Sequence, residues 1–248
     1  MFIIDDGIRL NAQLEMPEEH GEKLPLVIVI HGFTGDMEER HILGVAAAFR
    51  RAGCATLRVD MYGHGHSEGR FHDHNLYKWL NNAMTIIDYA RGLDFVSRVY
   101  LCGHSQGGLT VMLAGAMKQD VIAGIIPLSP AWMIPEGARK GELLGGTFDP
   151  AHVPDTLDSW KGLTLSGNYV RVAQTIRVED AIHAYHGPVL IVHGDADDAV
   201  PVRYGILAAQ MYDQAKLVLI PGDTHCYDHH LDQVEGAVSS WITEQLAK

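Results

Sequence analysis

Short apolar segments alternate along the chain with longer segments in which apolar residues recur at helical spacing. The run Leu26–Ile30 is apolar throughout and rich in β-branched residues, so it predicts a buried central strand. The further predicted strands are Ala55–Val59, Val99–Cys102, Ile122–Leu128, Val189–Val192 and Leu217–Ile220. The predicted helices are Glu39–Arg51, Tyr77–Leu93, Gly107–Met117 and a C-terminal helix with an apolar face formed by Leu231, Val234, Val238, Trp241, Ile242 and Leu246. This alternation predicts an α/β fold with a mostly parallel central sheet flanked by helices on both faces.

Two parts of the chain depart from this alternation. At the N-terminus, the apolar segments Phe2–Ile4 and Leu10–Leu14 flank a turn that contains glycine, which predicts a β-hairpin. Residues 131–183 contain no strong strand pattern, and a structureless loop of this length is unusual inside a compact domain. We expect them to form an inserted cap over the ends of the strands, where open α/β sheets bind ligands, with residues 1–130 and 184–248 forming the core. Surface helices without contact to any site are the alternative.

Composition and charge narrow the class of protein. The 248 residues are 47% hydrophobic and 20% charged, as in ordinary soluble globular proteins, and they form one large domain or two small ones. A formal charge of −12 without a basic stripe argues against nucleic acid as a partner, because its phosphates would be repelled. No apolar run has membrane-spanning length, and the start of the chain does not resemble a signal peptide. Three widely spaced cysteines suit free thiols, so we expect a cytoplasmic protein with no membrane partner.

The segment Gly103-His104-Ser105-Gln106-Gly107 predicts a serine nucleophile on a strand-to-helix elbow. A predicted strand precedes it and a predicted helix follows it. Glycine two residues before and two residues after Ser105 removes the Cβ atoms that would collide in such a tight turn. The turn would hold the serine oxygen clear of the sheet, beside the N–H groups at the start of the helix. A chance occurrence of the pentapeptide is the alternative, and the flanking strand and helix argue against it.

A serine hydroxyl needs a base to take its proton, and His225 is the best placed histidine. It follows the last predicted strand and precedes the C-terminal helix. With His225 as base, the order along the chain is serine, carboxylate, histidine, as an elbow of this kind requires. The competing histidines are His104 in the elbow, His193 at a strand end, and His229 and His230 at the start of the last helix.

The carboxylate that orients the histidine should follow the strand Val189–Val192, where Asp195, Asp197 and Asp198 are available. Neighbouring side chains of an extended loop point to opposite sides, so Asp195 and Asp197 share a direction that Asp198 does not. Asp197 lies further past the edge of the sheet and is our choice. Asp195 is expected to bond to the backbone of its own turn.

A tetrahedral intermediate needs two fixed N–H donors for its oxyanion. The backbone N–H of Gln106, directly after the candidate nucleophile, is one. The loop His31-Gly32-Phe33-Thr34-Gly35 follows the first central strand, and the N–H of Phe33 is the expected second donor.

No cofactor or metal is predicted. A nucleotide would need a glycine-rich fingerprint directly after a strand, and the chain has none. Four clustered histidines lack a cysteine or carboxylate that would complete a recognisable ligand set; they are His64, His66, His72 and His74. Cys226 is interpreted as a small packing residue rather than a second nucleophile.

Together these motifs resemble the α/β-hydrolase superfamily along the whole chain. The motifs are His31-Gly32-Phe33, Asp60–Ser67, the elbow, His193–Pro201 and Gly222-Asp223-Thr224-His225. More narrowly, three features of the cap region are similar to those of the bacterial cinnamoyl (feruloyl) esterases, namely Ser129-Pro130, Gly167-Asn168-Tyr169-Val170 and Trp160. That resemblance implies a serine carboxylesterase that hydrolyses feruloyl, p-coumaroyl and caffeoyl esters through an acyl-enzyme.

In such an enzyme, Trp160 and Tyr169 would bind the aromatic acid under the cap, although aromatic residues that merely hold the cap together are the alternative. An esterase of short acyl or monoacylglycerol esters would use the same triad. A non-catalytic binding module on the same fold is a further alternative, but all three catalytic roles are filled here. The expected partner is a small ester substrate, and the sequence leaves the oligomeric state open, a homodimer included.

Overall fold

The computed structural model describes residues 1–158 and 162–248, and these residues form an α/β protein. The strands are β1 (Phe2–Asp5), β2 (Ile8–Glu15), β3 (Leu24–Ile30), β4 (Ala55–Val59), β5 (Val96–His104), β6 (Ile122–Leu128), β7 (Glu142–Leu143), β8 (Gly146–Thr147), β9 (Thr156–Asp158), β10 (Thr164–Ser166), β11 (Val189–Gly194) and β12 (Ala215–Ile220). The helices are α1 (Arg40–Arg51), α2 (Leu76–Arg91), α3 (Gln106–Met117), α4 (Met133–Lys140), α5 (Gly167–Thr175), α6 (Val178–Ala184), α7 (Arg203–Met211) and α8 (Leu231–Leu246).

Eight strands form one central sheet in the order β1-β2-β4-β3-β5-β6-β11-β12. Strand β2 is antiparallel to both of its neighbours, and the remaining pairs are parallel. The predicted hairpin is present, with Asp6 and Gly7 at positive φ in its turn. The structure therefore confirms the predicted α/β-hydrolase-like sheet, and strands β3 and β5 lie at its centre.

The sheet separates two hydrophobic layers, and strand β3 contributes to both of them. Leu26, Ile28 and Ile30 pack into the layer that contains helices α2 and α3. Val27 and Val29 point to the opposite face, into the layer that contains helices α1 and α8. Successive strand residues point to opposite faces, so a strand that is covered on both sides is apolar at every position. This burial explains the continuous apolar run that the sequence shows.

Most predicted elements agree with the structure to within a few residues, and helix α7 is the main omission. Three residues of that helix are buried, namely Tyr204, Gly205 and Ala208. Glycine and alanine carry little apolar surface, so this stripe gives a weak helical pattern in the sequence.

Residues 131–183 contain more regular structure than the sequence pattern indicated. Helices α4 and α5 pack on each other, and strands β7–β8 and β9–β10 form two short hairpins of two or three residues per strand. Side chains join this segment to the rest of the chain: the hydroxyl of Tyr204 donates to Oε2 of Glu136 at 2.6 Å, and the hydroxyls of Tyr77 and Thr175 are 2.6 Å apart. The boundaries of the cap stay predictions. No helix in the described part of the chain is both long enough and apolar enough to span a membrane.

Candidate active site

Ser105 sits at the junction of strand β5 and helix α3 in a backbone conformation that side chains rarely adopt. Its φ is 57° and its ψ is −117°. Such strained conformations persist where the surroundings enforce them, and they cluster at active sites. The Ser105 N–H donates to the carbonyl of Leu128 on strand β6, and the residue is 7% exposed. The structure thus has the sharp strand-to-helix turn that the sequence predicted.

Two glycines make this turn sterically possible. A Cβ atom on Gly103 would overlap the carbonyl of Gly107, the second residue of helix α3. A Cβ atom on Gly107 would overlap the carbonyl oxygens of Ile30 and His31 at the end of strand β3. Helix α3 can therefore approach the sheet only because glycine occupies both positions.

Asp197 and His225 form a hydrogen-bonded carboxylate–imidazole pair. Nδ1 of His225 donates to Oδ2 of Asp197 at 2.7 Å, and the carboxylate is fully buried. Its other oxygen, Oδ1, accepts from the N–H groups of Ala199 at 2.9 Å and Val200 at 2.7 Å. Because Nδ1 carries the proton in this pair, Nε2 of His225 presents the lone pair that a base needs.

A second histidine contacts the same carboxylate. Nε2 of His193, at the end of strand β11, lies 3.2 Å from Oδ2 of Asp197 and 2.9 Å from the carbonyl of Val200. Both neighbours are acceptors, so this nitrogen carries a proton. Burial by itself raises the pKa of Asp197, but the hydrogen bonds from His193 and His225 outweigh it and hold the pKa of the carboxyl well below its usual range. Asp197 is therefore ionised at neutral pH.

The other two acidic residues of the loop have different surroundings. Oδ1 of Asp195 accepts from the N–H of Gly222 at 2.6 Å, so Asp195 ties its loop to the segment before His225. The expectation that Asp195 bonds within its own turn is wrong, because its carboxylate accepts from Gly222 in the neighbouring loop instead. Asp198 is exposed.

His104 connects the elbow to the segment that carries His225. Its Nε2 donates to the backbone carbonyl of His225 at 2.8 Å, and the two rings are 4.5 Å apart. Its Nδ1 accepts from Nε2 of His41 at 3.1 Å. His104 thus directly precedes Ser105 along the chain and also bonds to the segment that carries His225.

Sequence reasoning treated His104 and His193 only as competitors for the role of base and missed these contacts. Their positions beside Ser105 and at a strand end were the available signal.

The loop that follows strand β3 lies directly against Ser105. A Cβ atom built on Gly32 would be 3.2 Å from Cβ of Ser105. Nε2 of His64 lies 2.5 Å from the carbonyl oxygen of Phe33 and fixes this loop. Gln106 is the first residue of helix α3, where backbone N–H groups have no partner within the helix. These positions are compatible with oxyanion donors from Phe33 and Gln106, which remain predictions.

Tyr169, from helix α5, is completely buried beside both of these residues. Its hydroxyl donates to Oε1 of Gln106 at 2.6 Å, and its ring is 5.6 Å from the ring of Phe33. The ring of His74 lies 5.2 Å away on another side. The structure thus brings Tyr169 to the elbow, where the sequence predicted a substrate contact. Trp160, the other predicted substrate-binding residue, lies outside the described residues.

Comparison with known proteins places this geometry in a family. The serine aminopeptidase S33 family matches residues 21–157. The solved structure of Est1E from Butyrivibrio proteoclasticus with ferulic acid bound has a TM-score of 0.99 and 60% sequence identity, and the match covers 100% of both chains. A monoacylglycerol lipase of Mycolicibacterium smegmatis is 25% identical over 97% of this chain and 95% of its own length. A Haemophilus influenzae protein is 35% identical over 124 residues, which are 50% of this chain and 40% of that protein. The chain therefore belongs to the serine aminopeptidase S33 family of α/β-hydrolases, and the sequence-based prediction of a carboxylic ester hydrolase that resembles feruloyl esterases is confirmed.

Proposed function

We propose that the chain is a hydroxycinnamate esterase that cleaves feruloyl, p-coumaroyl and caffeoyl esters by way of an acyl-enzyme on Ser105. The observation that supports the mechanism is the pair of Asp197 and His225, 2.7 Å apart, whose imidazole lies 4.5 Å from the ring of His104, the residue directly before a serine on a strained elbow. The substrate class is supported by the full-length similarity to Est1E, whose structure holds ferulic acid.

In the first half of the reaction, Oγ of Ser105 attacks the ester carbonyl carbon while Nε2 of His225 takes its proton. The oxyanion that forms accepts from the N–H groups of Phe33 and Gln106. The C–O bond to the alcohol then breaks, and the alcohol leaves with the proton from His225. Asp197 stays ionised and stabilises the imidazolium.

In the second half, water attacks the acyl-serine. His225 takes a proton from the water and returns it to the Ser105 oxygen as the hydroxycinnamic acid leaves. The step uses the same oxyanion donors, so one set of residues serves both halves.

An aromatic acyl group suits the surroundings of Gln106. Tyr169 contacts Gln106 through its hydroxyl, and its ring lies beside those of Phe33 and His74. The ring of Phe71 packs in turn against Phe33 and His74. Aromatic walls of this kind bury flat apolar groups well. We propose that residues 131–183 form the cap over this site, with Trp160 and Tyr169 as substrate-binding residues.

The proposal is tested by comparing hydrolysis of methyl ferulate, p-nitrophenyl butyrate and a monoacylglycerol. The highest kcat/KM should be on methyl ferulate. A preference for the monoacylglycerol, the substrate class of the Mycolicibacterium relative, would replace the substrate class and leave the triad in place.

The nucleophile is tested separately. Ser105→Ala should lower kcat by several orders of magnitude without loss of thermal stability, and a phosphonate probe should label Ser105 in the parent enzyme. Labelling of another residue, or a fully active Ser105→Ala protein, would contradict the proposed mechanism.

A further inference from the structure

Behind the proposed catalytic residues lies a group of soft metal ligands that the ester mechanism does not use. One ring nitrogen each of His41 and His104 and Sγ of Cys226 all lie within 4.8 Å of one another. Nε2 of His41 and Nδ1 of His104 are 3.1 Å apart. His41 and His104 are buried, whereas Cys226 is half-buried. We propose that these three side chains bind a thiophilic divalent ion, Zn²⁺ in the first place, and that its binding inhibits the esterase.

The tautomer of His104 suits such a site. Nε2 of His104 is committed to the carbonyl of His225, so its Nδ1 presents a lone pair toward His41. Nε2 of His41, 3.1 Å away, faces the same space. A thiolate with two imidazole nitrogens is a ligand set that Zn²⁺ favours over Mg²⁺ or Ca²⁺.

The spacing also fits a tetrahedral ion. With Zn–N of about 2.0 Å and Zn–S of about 2.3 Å, tetrahedral geometry separates the donor atoms by roughly 3.3–3.6 Å. The observed separations run from 3.1 Å between the two nitrogens up to the limit of 4.8 Å for the group. Oε2 of Glu39 lies 3.8 Å from Nε2 of His41, so a carboxylate oxygen is close to one of the three ligands.

Binding changes the protons of two side chains. The Cys226 thiol releases its proton to solvent as the S–Zn bond forms. The proton on Nε2 of His41 moves to Nδ1 of the same ring, and the hydrogen bond between His41 and His104 is replaced by two N–Zn bonds. One proton is released for each ion bound, so the affinity should rise with pH.

Inhibition follows from the neighbours of these ligands along the chain, and this part rests on the proposed function. His104 directly precedes Ser105, and Cys226 directly follows His225. An ion that draws His104 and Cys226 together shifts both catalytic segments, and it acts from behind the site rather than in the substrate's place. It should therefore lower kcat more than it raises KM.

The binding test uses the intact enzyme and Co²⁺ as a coloured substitute for Zn²⁺. The parent protein should bind one Co²⁺ per chain with a thiolate-to-cobalt absorption band, and Zn²⁺ should displace it. Cys226→Ser should lose the band and weaken Zn²⁺ binding at least about ten-fold, and His41→Gln should also weaken it. The matched control, Cys54→Ala, removes a thiol that is buried elsewhere and should bind like the parent.

The activity test adds Zn²⁺ to the same proteins. The parent and Cys54→Ala should lose activity and regain it with a chelator, while Cys226→Ser should keep its basal activity and resist Zn²⁺. Absence of the thiolate band in the parent, or equal Zn²⁺ inhibition of the parent and Cys226→Ser, would overturn the proposal. Failure of the proposed function would look different, because hydroxycinnamate hydrolysis would be missing in metal-free protein while the cobalt band persisted.

Discussion

The hydroxyl of Tyr169 donates a hydrogen bond to Oε1 of Gln106 at 2.6 Å, so a residue from the predicted cap holds the residue that follows Ser105. The same tyrosine ring packs edge-on against Phe33, 5.6 Å away. One side chain therefore contacts both residues whose N–H groups are the predicted oxyanion donors. This relationship couples the order of the cap to the geometry of the oxyanion site, in addition to any contact that Tyr169 makes with substrate.

Tyr169→Phe should consequently slow the hydrolysis of esters with and without a phenol. The change removes one hydrogen bond and leaves the ring in place, so we expect a loss of about 1 kcal/mol, or roughly five-fold, in kcat on methyl cinnamate. Any additional loss on methyl ferulate measures a direct contact of the Tyr169 oxygen with the phenol. Steady-state kinetics on the two esters give both quantities.

Unchanged kinetics on methyl cinnamate would contradict the coupling, because that ester carries no phenol. A matched control is Tyr204→Phe. It removes a hydrogen bond to Glu136 that involves no residue of the elbow. It should therefore leave kcat on both esters near the parent value.

The three acidic residues after strand β11 (Val189–Gly194) should differ sharply in their effect on activity. Asp197→Asn leaves an amide against Nδ1 of His225 and removes the charge that stabilises the imidazolium, so kcat should fall by about 10⁴-fold. Asp195→Asn and Asp198→Asn should retain most of kcat, because Asp195 bonds to Gly222 and Asp198 is exposed. Thermal melting of each variant separates lost chemistry from lost folding. A dead Asp195→Asn protein of normal stability would reverse our choice within the loop.

His193 should act on catalysis through Asp197 rather than by touching substrate. His193→Leu deprives the buried carboxylate of one N–H donor, and a hydrogen bond to a charged group contributes about 1.5–3 kcal/mol. We expect kcat to fall roughly 10- to 100-fold and the acidic limb of the pH–kcat profile to move to higher pH, since a carboxylate with one donor fewer holds the proton of the Asp197–His225 pair more tightly. His193→Gln keeps an N–H donor and should recover part of both effects. Identical profiles for the Leu and Gln variants would assign His193 to packing.

The sequence predicted the parts of this site that follow from local chain geometry. Gly103 and Gly107 around Ser105 identify a turn that no other residues fit, and that steric demand is readable without a structure. The alternation of side chains in an extended loop separated Asp198 from Asp195 and Asp197, and Asp197 was preferred because it lies further past the edge of the sheet.

Contacts between distant segments could not be predicted in the same way. His104 and His225 are 121 residues apart, and Tyr169 and Gln106 are 63 apart. Nothing in the local pattern of either partner indicates which segment it will meet. The role of His193 was missed for the same reason, since its bond to Asp197 depends on how the loop folds back on the end of its own strand.

The buried histidines predict how stability depends on pH, and His74 gives the clearest test. Burial, helped by the nearby His64, lowers the pKa of His74 from 6.5 to about 3 in the folded protein. Below pH 6.5 the unfolded chain therefore takes up a proton at His74 that the folded protein does not. This uptake stabilises the unfolded state, so the stability present above pH 6.5 is progressively lost as the pH falls toward 3. A single such group makes the free energy of unfolding fall by up to about 1.4 kcal/mol per pH unit within that window.

In His74→Gln this contribution is absent. Urea unfolding between pH 6.5 and 5 should therefore show a free energy of unfolding whose slope against pH is shallower by about that amount. Between pH 7.5 and 8.5 His74 is neutral in both states, and the two proteins should have the same slope. Parallel slopes below pH 6.5 as well would mean that folded and unfolded His74 bind protons alike, contrary to the burial seen here.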